Sequence, residues 1–181
     1  CGGPQQLIPN IEAVRIAGST SDRITNIIGI DDFNDDGRND FAIGAPTANS
    51  GQGRVYVSFR RVPGSSGLEG DYVLEKLGLG LESPDRLEGA LIVTTSLDGL
   101  GSSLASGVDF NGDGLSDLVI GSPNASTSTG EVIIVFGDPS LRTPLNGLTV
   151  QTLLTTRGAN DRPRAARITG NSGDPSGLFG F

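Results

Sequence analysis

Two short acidic segments carry the side chains with the clearest chemical potential. Each places Asp, Asn, Asp, Gly and Asp at positions 1, 3, 5, 6 and 9, beginning at residue 32 and again 77 residues later at residue 109. A glycine turn surrounded by carboxylate and amide oxygens suits Ca²⁺, which takes about 6–8 oxygen ligands in flexible geometry. The pattern predicts two Ca²⁺ sites, with position 7 contributing a backbone carbonyl. The predicted ligands are Asp32, Asn34, Asp36, Arg38 and Asp40 in the first segment, and Asp109, Asn111, Asp113, Leu115 and Asp117 in the second.

Two other interpretations of these segments are weaker. An EF-hand loop begins in the same way, but it needs a bidentate Glu at position 12, where this chain has Ile43 and Ile120. Asp-Asn-Gly clusters also form ordinary turns, but two nine-residue matches at equivalent places favour metal binding. Mg²⁺ is less favoured because it demands near-octahedral geometry. Without a cation the clustered carboxylates repel one another, so we expect an empty loop to be mobile.

The acidic segments belong to a longer repeat. Residues 15–22, 91–98 and 167–174 align at successive offsets of 76, and residues 51–59 align with residues 128–136. A repeat in this range of lengths is typical of solenoids and propellers. The predicted organisation is an N-terminal segment (1–14), a first unit (15–90), a second unit (91–166) and the start of a third (167–181).

Within each unit the pattern indicates strands and no helix. Residues 24–30 and 102–108 lead into the acidic segments, residues 40–46 and 117–123 leave them, and residues 54–59 and 131–136 follow. A more variable fourth strand is predicted at 71–77 and 148–154. Four short strands in each unit indicate a propeller blade. The predicted fold is all-β, with two full four-stranded units and the start of a third, open rather than closed within the chain.

Composition excludes several function classes. The net charge of −8 disfavours nucleic acid as a partner. There is no His, and the one Cys is residue 1, so neither a Cys–His pair nor an internal disulfide can form. No segment approaches the roughly 18–20 apolar residues of a membrane span. Residues 141–181 are basic, and their arginines at 157, 162, 164 and 167 form either a solvated edge or a complementary contact surface.

The two acidic hairpins resemble FG-GAP repeats, the blades of integrin α-subunit propellers and of many bacterial surface proteins. The family's Phe-Gly corresponds to Leu100-Gly101 and Phe179-Gly180, and its Gly-Ala-Pro to Gly44-Ala45-Pro46 and Gly121-Ser122-Pro123. The first unit departs from the pattern with Asn26-Ile27. The resemblance implies strand, calcium loop and strand hairpins, an extracellular location and a role in adhesion or scaffolding. Family propellers close with about seven blades, whereas this chain supplies just over two.

The leading functional hypothesis is a non-catalytic, calcium-stabilised extracellular β-repeat protein for surface structure, adhesion or self-assembly. Two alternatives are a glycan-binding module, with the polar loops at 47–53 and 124–130 lining the site, and a fragment of a larger adhesin propeller. A carbohydrate-active enzyme is less favoured, because most Asp residues lie in the acidic segments.

Predicted partners are further copies of the chain, in a homo-oligomer or a head-to-tail polymer, and extracellular glycans or cell-surface proteins. Head-to-tail contact would join the segment 167–181 to the first unit of the next copy. Asn124 begins an Asn-Ala-Ser glycosylation sequon. Cys1, followed by small residues as at the mature end of a bacterial lipoprotein, is a candidate for lipid attachment.

Overall fold

The structure is a computed structural model that describes residues 14–59, 70–74, 89–96, 98–142 and 145–170. Within these residues the chain is built mainly from short strands. The strands are β1 (Val14–Ala17), β2 (Asn26–Gly29), β3 (Phe41–Ala45), β4 (Arg54–Ser58), β5 (Gly70–Val73), β6 (Gly89–Val93), β7 (Ser103–Val108), β8 (Asp117–Ser122), β9 (Glu131–Val135), β10 (Leu145–Thr149) and β11 (Ala165–Thr169).

The helical elements are single turns or little more. They are α1 (Ala48–Gly51), α2 (Ala125–Ser128) and α3 (Val150–Thr155), with 3₁₀ turns at Pro139–Arg142 and Ala159–Asp161. In the described part of the chain, no helix is long and apolar enough to cross a lipid bilayer.

The strands form two main open sheets. The first has the order β10-β6-β4-β3-β2 and the second the order β11-β9-β8-β7, and a separate parallel pair joins β1 to β5. Pairing in the main sheets is antiparallel except where β10 lies parallel to β6. The predicted all-β, blade-like fold is confirmed. The first sheet differs from the four-stranded prediction because β10, from the second unit, adds a fifth strand to it.

The six strands predicted around the acidic segments are confirmed within one or two residues. In each unit the strand that leaves the acidic segment, β3 or β8, lies in the middle of its sheet, between the strand before the segment and the strand after it. Middle strands are covered on both faces, and β3 and β8 are accordingly almost fully buried. This explains why both read in the sequence as nearly continuous apolar runs that end at Gly-x-Pro.

The predicted fourth strands, at 71–77 and 148–154, coincide in part with β5 and β10, but neither is the fourth strand of its own unit's sheet. The fourth strand of the first sheet is β6, which pairs with β4, and the fourth strand of the second sheet is β11, which pairs with β9. Residues 70–73 instead pair with β1, and residues 75–77 lie outside the described residues. After β10 the side chain of Thr149 accepts a hydrogen bond from the Thr152 amide at 3.0 Å and caps α3, so the chain turns helical there.

The sheets are therefore offset from the sequence repeat by one strand. The predicted boundary between residues 90 and 91 falls inside β6, which begins the second sequence unit and completes the first sheet. In the same way β11, which spans the predicted start of a third unit, completes the second sheet. The remaining residues of that start, 171–181, lie outside the described residues.

The two sheets pack face to face on an apolar core. Val55, Val57 and Ile92 of the first sheet meet Ile120 and Ile133 of the second, and all five are buried. The alternate residues of the first sheet, such as Ile43 and Tyr56, form a second cluster on its other face. Burying one set of residues between the sheets makes them a single packed body.

Glycines bring the two sheets into backbone contact at one point. A methyl group on Gly44 would collide with the carbonyl oxygen of Gly101, and a methyl group on Gly53 would collide with the backbone of Leu100. The Leu100 amide donates to the Gln52 carbonyl at 3.0 Å. The Gly-Ala-Pro of the first unit therefore packs on the Leu-Gly of the second, and this contact is the physical reason for glycine in both motifs.

Candidate metal centres

The acidic segments lie at equivalent places in the two sheets. The first, which we call loop 1, covers residues 31–40 between β2 and β3, and the second, loop 2, covers residues 109–116 with Asp117 as the first residue of β8. The glycine at position 6 takes a left-handed conformation in both, with φ of 85° at Gly37 and 90° at Gly114. Such φ values favour glycine, so the predicted sharp turn is present in both loops.

The carboxylate at position 1 holds each turn by accepting backbone hydrogen bonds. Asp32 accepts from the amides of Asp36 and Gly37, both at 2.8 Å. Asp109 accepts from the amides of Gly112 at 2.7 Å and Gly114 at 2.8 Å. The hydrogen bond from Gly114 lowers the pKa of Asp109 below its usual value. The position-1 side chains therefore organise both loops through backbone amides.

Positions 3, 5 and 7 repeat the same arrangement in the two loops. The Asn34 side-chain oxygen accepts from the Asp36 amide at 3.2 Å, and Asp36 accepts from the Arg38 amide at 3.0 Å. The corresponding bonds in loop 2 join Asn111 to Asp113 at 3.0 Å and Asp113 to the Leu115 amide at 2.9 Å. The structure thus shows the Arg38 and Leu115 amides as donors to the loops. A contribution from their carbonyl oxygens stays a prediction.

The carboxylate at position 9 is the buried member of each loop. Asp40 is 3% exposed and accepts a hydrogen bond from the Phe33 amide at 3.1 Å, while its second oxygen has no partner among the described residues. Burial raises the pKa of Asp40 to about 7, and the charges of Asp36 and Asp32 contribute to the rise. A buried, unpaired carboxylate oxygen is costly, so loop 1 has a buried acceptor that lacks a donor or a cation.

Asp117 is also fully buried, but both of its oxygens are paired. They accept from the Phe110 amide at 2.7 Å and from the Gly137 amide at 3.0 Å. Burial still raises the pKa of Asp117, with smaller contributions from Asp113 and Asp109, and the two amides oppose the rise. Gly137 lies 20 residues beyond Asp117 in the chain, so sequence reasoning had no signal for this contact.

A hard divalent cation requires several oxygen ligands that converge on one point. Within the described ranges, no three His, Cys, Asp or Glu side chains lie close enough together to hold a metal ion. The side chains at positions 1, 3 and 5 are turned onto backbone amides, which accounts for this. The donors nevertheless fit in type, since all are carboxylate or amide oxygens with spare lone pairs. The unpaired buried oxygen of Asp40 fits as well, and a bound cation would offset the clustered negative charge of Asp32, Asp36 and Asp40.

Residues outside the predicted set also contact loop 2. The Arg162 guanidinium lies 3.8 Å from the Asp113 carboxylate. Beside this pair is a cavity of about 230 Å³ whose walls include Asp35 of loop 1, Asn111 of loop 2 and Asp138. Ser116 donates to the Asp31 carboxylate at 3.2 Å, so the two loops are neighbours on one rim of the molecule. The strand pattern of the sequence does not indicate this proximity.

The basic arginines make contacts within the chain. Arg162 faces Asp113, and Arg167 lies 3.8 Å from Glu131. Arg157 donates to the Asp161 carbonyl at 2.8 Å, and Arg164 donates to Ser140 at 2.8 Å. A complementary contact surface on another copy therefore stays a prediction, and it would compete with these contacts.

The remaining predicted sites divide between the surface and the undescribed ends. Asn124 is exposed in the turn before α2. Of the two polar loops, 124–130 contributes Ser126 to a cavity of about 220 Å³ that Asp98, Glu131 and Arg167 also line. Cys1 and Phe179-Gly180 lie outside the described residues.

Comparison with known proteins identifies the repeat. The model of the FG-GAP repeat family matches residues 26–58 and 100–135. Each match begins at or just before the strand that leads into an acidic loop, β2 or β7, and ends with the second strand after that loop, β4 or β9. The two matched segments are FG-GAP repeats. The matched segments contain both acidic loops and the Gly44-Ala45-Pro46 and Gly121-Ser122-Pro123 motifs, so the resemblance inferred from those motifs is confirmed.

The FG-GAP repeats of this chain are also similar to part of an animal protein. The chain is 36% identical over 99 residues to integrin alpha-E of Mus musculus. The aligned region covers 54% of this chain and 8% of that protein. At this level the relationship supports a repeat module of the adhesion type.

Proposed function

We propose that this chain is a non-catalytic pair of FG-GAP blades that Ca²⁺ stabilises, in an extracellular protein that serves adhesion or surface structure. The observation that carries the proposal is the buried Asp40 carboxylate, which has an unpaired oxygen and lies among the charges of Asp32 and Asp36. A divalent cation in loop 1 would remove this cost. Loop 2 repeats the same ligand types at the same spacing, and this repetition supports a second site there.

Adhesion and an extracellular location rest on the relationship to integrin alpha-E and on the family. The absence of catalysis is supported by the sequence, which contains no His and has its one Cys at position 1. The acidic side chains of the two loops are engaged in holding the turns. Their arrangement supports a structural role for these carboxylates.

Thermal unfolding with and without Ca²⁺ tests the metal assignment. A ligand that binds only the folded state at 100 times its Kd adds about 2.7 kcal/mol per site. We expect saturating Ca²⁺ to raise Tm by roughly 5–10 °C per site for a chain of this size, and EGTA to reverse the increase. An identical Tm in Ca²⁺ and in EGTA would remove the basis of the proposal.

Two substitutions locate the sites within the chain. Asp113→Ala removes a predicted ligand of loop 2, and we expect calorimetry to detect one Ca²⁺ site fewer than in the wild type. Asn124→Ala is the matched control, because Asn124 lies beyond Pro123 and outside both loops; it should bind the same number of ions as the wild type. If both variants lose a site, the loop boundaries are wrong.

A glycan-binding module is a second candidate, and the cavity of about 220 Å³ beside Ser126 favours it. Acceptors on Asp98 and Glu131 and a donor on Arg167 are groups that bind sugar hydroxyls. Binding to a glycan array that Arg167→Ala abolishes would support this function. Wild-type protein that binds no glycan above background would exclude it.

Head-to-tail association of identical copies also remains a proposal. Val119, Val132 and Ile168 lie on the face of the second sheet that points away from the first, and all three are partly exposed. A partly exposed apolar face can bind another molecule. Mass measurement in solution with Ca²⁺ tests the proposal, and a monomer at high protein concentration would end it.

A further inference from the structure

A short run of buried backbone connects the two acidic loops. The Phe33 amide donates to the Asp40 carboxylate at 3.1 Å, and the Phe33 carbonyl accepts from the Asp138 amide at 2.9 Å. The neighbouring Gly137 amide donates to the Asp117 carboxylate at 3.0 Å. We call Phe33, Gly137 and Asp138 the inter-loop bridge. Of its two consecutive residues, Gly137 donates to the last carboxylate of loop 2 and Asp138 donates to the backbone of loop 1.

The inter-loop bridge is tightly packed. Phe33 is 1% exposed, and Gly137 is also buried. A methyl group on Gly137 would lie 2.8 Å from the Ser116 carbonyl oxygen and 3.1 Å from the Phe33 carbonyl oxygen, which leaves no room for a side chain between the loops. A displacement of either loop must therefore move the other loop or break a buried hydrogen bond.

Asp138 fixes one end of the inter-loop bridge. Its two carboxylate oxygens accept from the Ser140 amide at 2.7 Å and from the Ala159 amide at 2.8 Å. Asp138 is 6% exposed and lies outside the predicted ligand set. It acts as a positioning residue, because it holds the peptide that touches loop 1 without being a ligand in either loop.

We propose that the inter-loop bridge couples the loops, so that a divalent cation in one loop tightens binding in the other. This inference rests on the proposed Ca²⁺ binding. A cation in loop 2 restrains Asp117, which restrains Gly137 and Asp138 and, through the Phe33 carbonyl, loop 1. Part of the entropy lost on ordering loop 1 has then already been lost. The effect must be reciprocal, since the coupling free energy is common to both sites.

Repulsion between two bound cations opposes this coupling. Charges near the surface are screened over roughly 8–10 Å at physiological ionic strength, whereas the hydrogen bonds of the inter-loop bridge are buried and little affected by salt. The coupling should therefore be more visible at 150 mM salt than at low ionic strength, because salt weakens the repulsion and leaves the buried bridge intact. Calorimetric titrations belong at that ionic strength.

The first experiment measures each loop alone and both together by isothermal titration calorimetry with Ca²⁺. Asp36→Ala leaves loop 2 to bind, and Asp113→Ala leaves loop 1. We expect the product of the two wild-type association constants to exceed the product of the single-loop constants by about fivefold or more. Equal products would overturn the coupling while leaving Ca²⁺ binding intact. Absence of Ca²⁺ binding in the wild type would overturn both proposals.

The second experiment tests whether the inter-loop bridge carries the coupling. Gly137→Ala should reduce the coupling factor to about one, because the methyl group separates Ser116 from Phe33. Asp138→Asn is a milder change that keeps one acceptor, and its coupling factor should lie between that of the wild type and one. This variant replaces Gly137→Ala if Gly137→Ala does not fold. Ser116→Ala removes the exposed contact to Asp31 but no bond of the bridge, so its coupling should stay within twofold of the wild type. If Ser116→Ala abolishes coupling and the bridge variants do not, the path is wrong.

A structural readout distinguishes coupling from a loss of affinity. In Asp36→Ala only loop 2 binds Ca²⁺, yet hydrogen exchange at the Phe33 amide of loop 1 should slow by several-fold when Ca²⁺ is added. Exchange at Phe33 that does not respond in this variant would overturn the proposal.

Discussion

The two acidic loops share one ligand pattern but differ in how the last carboxylate is held. Asp117 accepts backbone hydrogen bonds at both of its oxygens, whereas Asp40 has one oxygen that is buried and unpaired among the described residues. The difference arises outside the pattern, because the second donor to Asp117 comes from Gly137. The chain itself satisfies the last carboxylate of loop 2, and the cation proposed for loop 1 would satisfy that of loop 1.

The loops also differ at position 4. Loop 2 has Gly112 there with φ of 73°, while loop 1 has Asp35 with φ of 57°. Left-handed φ angles cost little at glycine and more at residues with a Cβ, although Asp is among those that tolerate them best. The backbone of loop 1 is therefore the more strained of the two.

A third difference lies at the start of the strands after the loops. Arg54 begins β4, and Glu131 occupies the equivalent place in β9. Glu131 lies 3.8 Å from Arg167 of β11, whereas position 91 of the first sheet, equivalent to Arg167, is Leu. Equivalent positions in the two repeats thus carry opposite charges, each adapted to its own sheet.

The largest expected effect is on the contact that holds the two repeats together. Gly44→Ala would force a methyl group into the Gly101 backbone. Overpacking of this kind costs about 1–3 kcal/mol or more, which lowers Tm by roughly 3–10 °C. Gly29→Ala is the control, since a methyl group there meets nothing within 4 Å. If thermal unfolding gives the same Tm for both variants, the close contact between Gly44 and Gly101 is wrong.

The next largest effect is the difference in unfolding free energy between variants of Asp40 and Asp117, measured without metal in EGTA. Asp117→Asn replaces one acceptor with an amide donor and leaves a buried N–H unpaired, which costs about 1–3 kcal/mol. Asp40→Asn also buries an unpaired N–H, but it keeps the bond from Phe33 and removes the repulsion from Asp32 and Asp36, so its loss should be the smaller of the two. Urea unfolding measures both free energies. Equal losses of unfolding free energy in the two variants would show that Asp40 and Asp117 are held in the same way.

The strain at position 4 is tested by exchanging residue types. Gly112→Ala places a Cβ at a left-handed φ and should cost about 1–2 kcal/mol. Asp35→Gly relieves the same conformation in loop 1, so the unfolding free energy should change by less than about 1 kcal/mol in either direction. Urea unfolding of the metal-free variants checks both values. A larger loss of unfolding free energy for Asp35→Gly than for Gly112→Ala would contradict the greater backbone strain assigned to loop 1.

The smallest effect concerns Glu131 and depends on pH. Burial raises the pKa of Glu131; Arg167 lowers it and Asp98 raises it further. Because the folded-state pKa is raised, the associated stability is present below the ordinary value of 4.5 and is lost as pH rises through the folded value. Glu131→Gln should therefore match the wild type at pH 4 and have a slightly higher Tm at pH 7. A lower Tm at pH 7 would mean that the ion pair with Arg167 outweighs burial.

The sequence predicted the hairpins around the loops because their signals are local. Alternating and continuous apolar runs, Asp-x-Asn-x-Asp-Gly turns and the Gly-x-Pro ends all lie within about 25 residues of one another. The position-1 carboxylates and the left-handed glycines follow from the same short-range geometry. Sequence reasoning therefore identified both loops and the six strands that flank them.

The pairing of distant segments could not be predicted in the same way. Residues 71–77 and 89–93 both resemble strands, and only packing against β4 decides which one completes the first sheet. Gly137, Asp138 and Arg162 reach the loops through tertiary contacts, and none belongs to a recognisable motif. The switch from β10 to α3 depends on the Thr149 cap, which competes with an apolar run that favours a strand.

The one-strand offset between sequence unit and sheet determines where the chain can be divided. Cutting between residues 90 and 91 would split β6, whereas a cut after residue 93 would keep β2, β3, β4 and β6 together and remove only β10 from the first sheet. Tandem duplication of the 76-residue period would place the first strand of each new copy in the sheet of the preceding one. Arrays that grow in this way are joined by backbone hydrogen bonds at every junction, and no interface has to evolve separately.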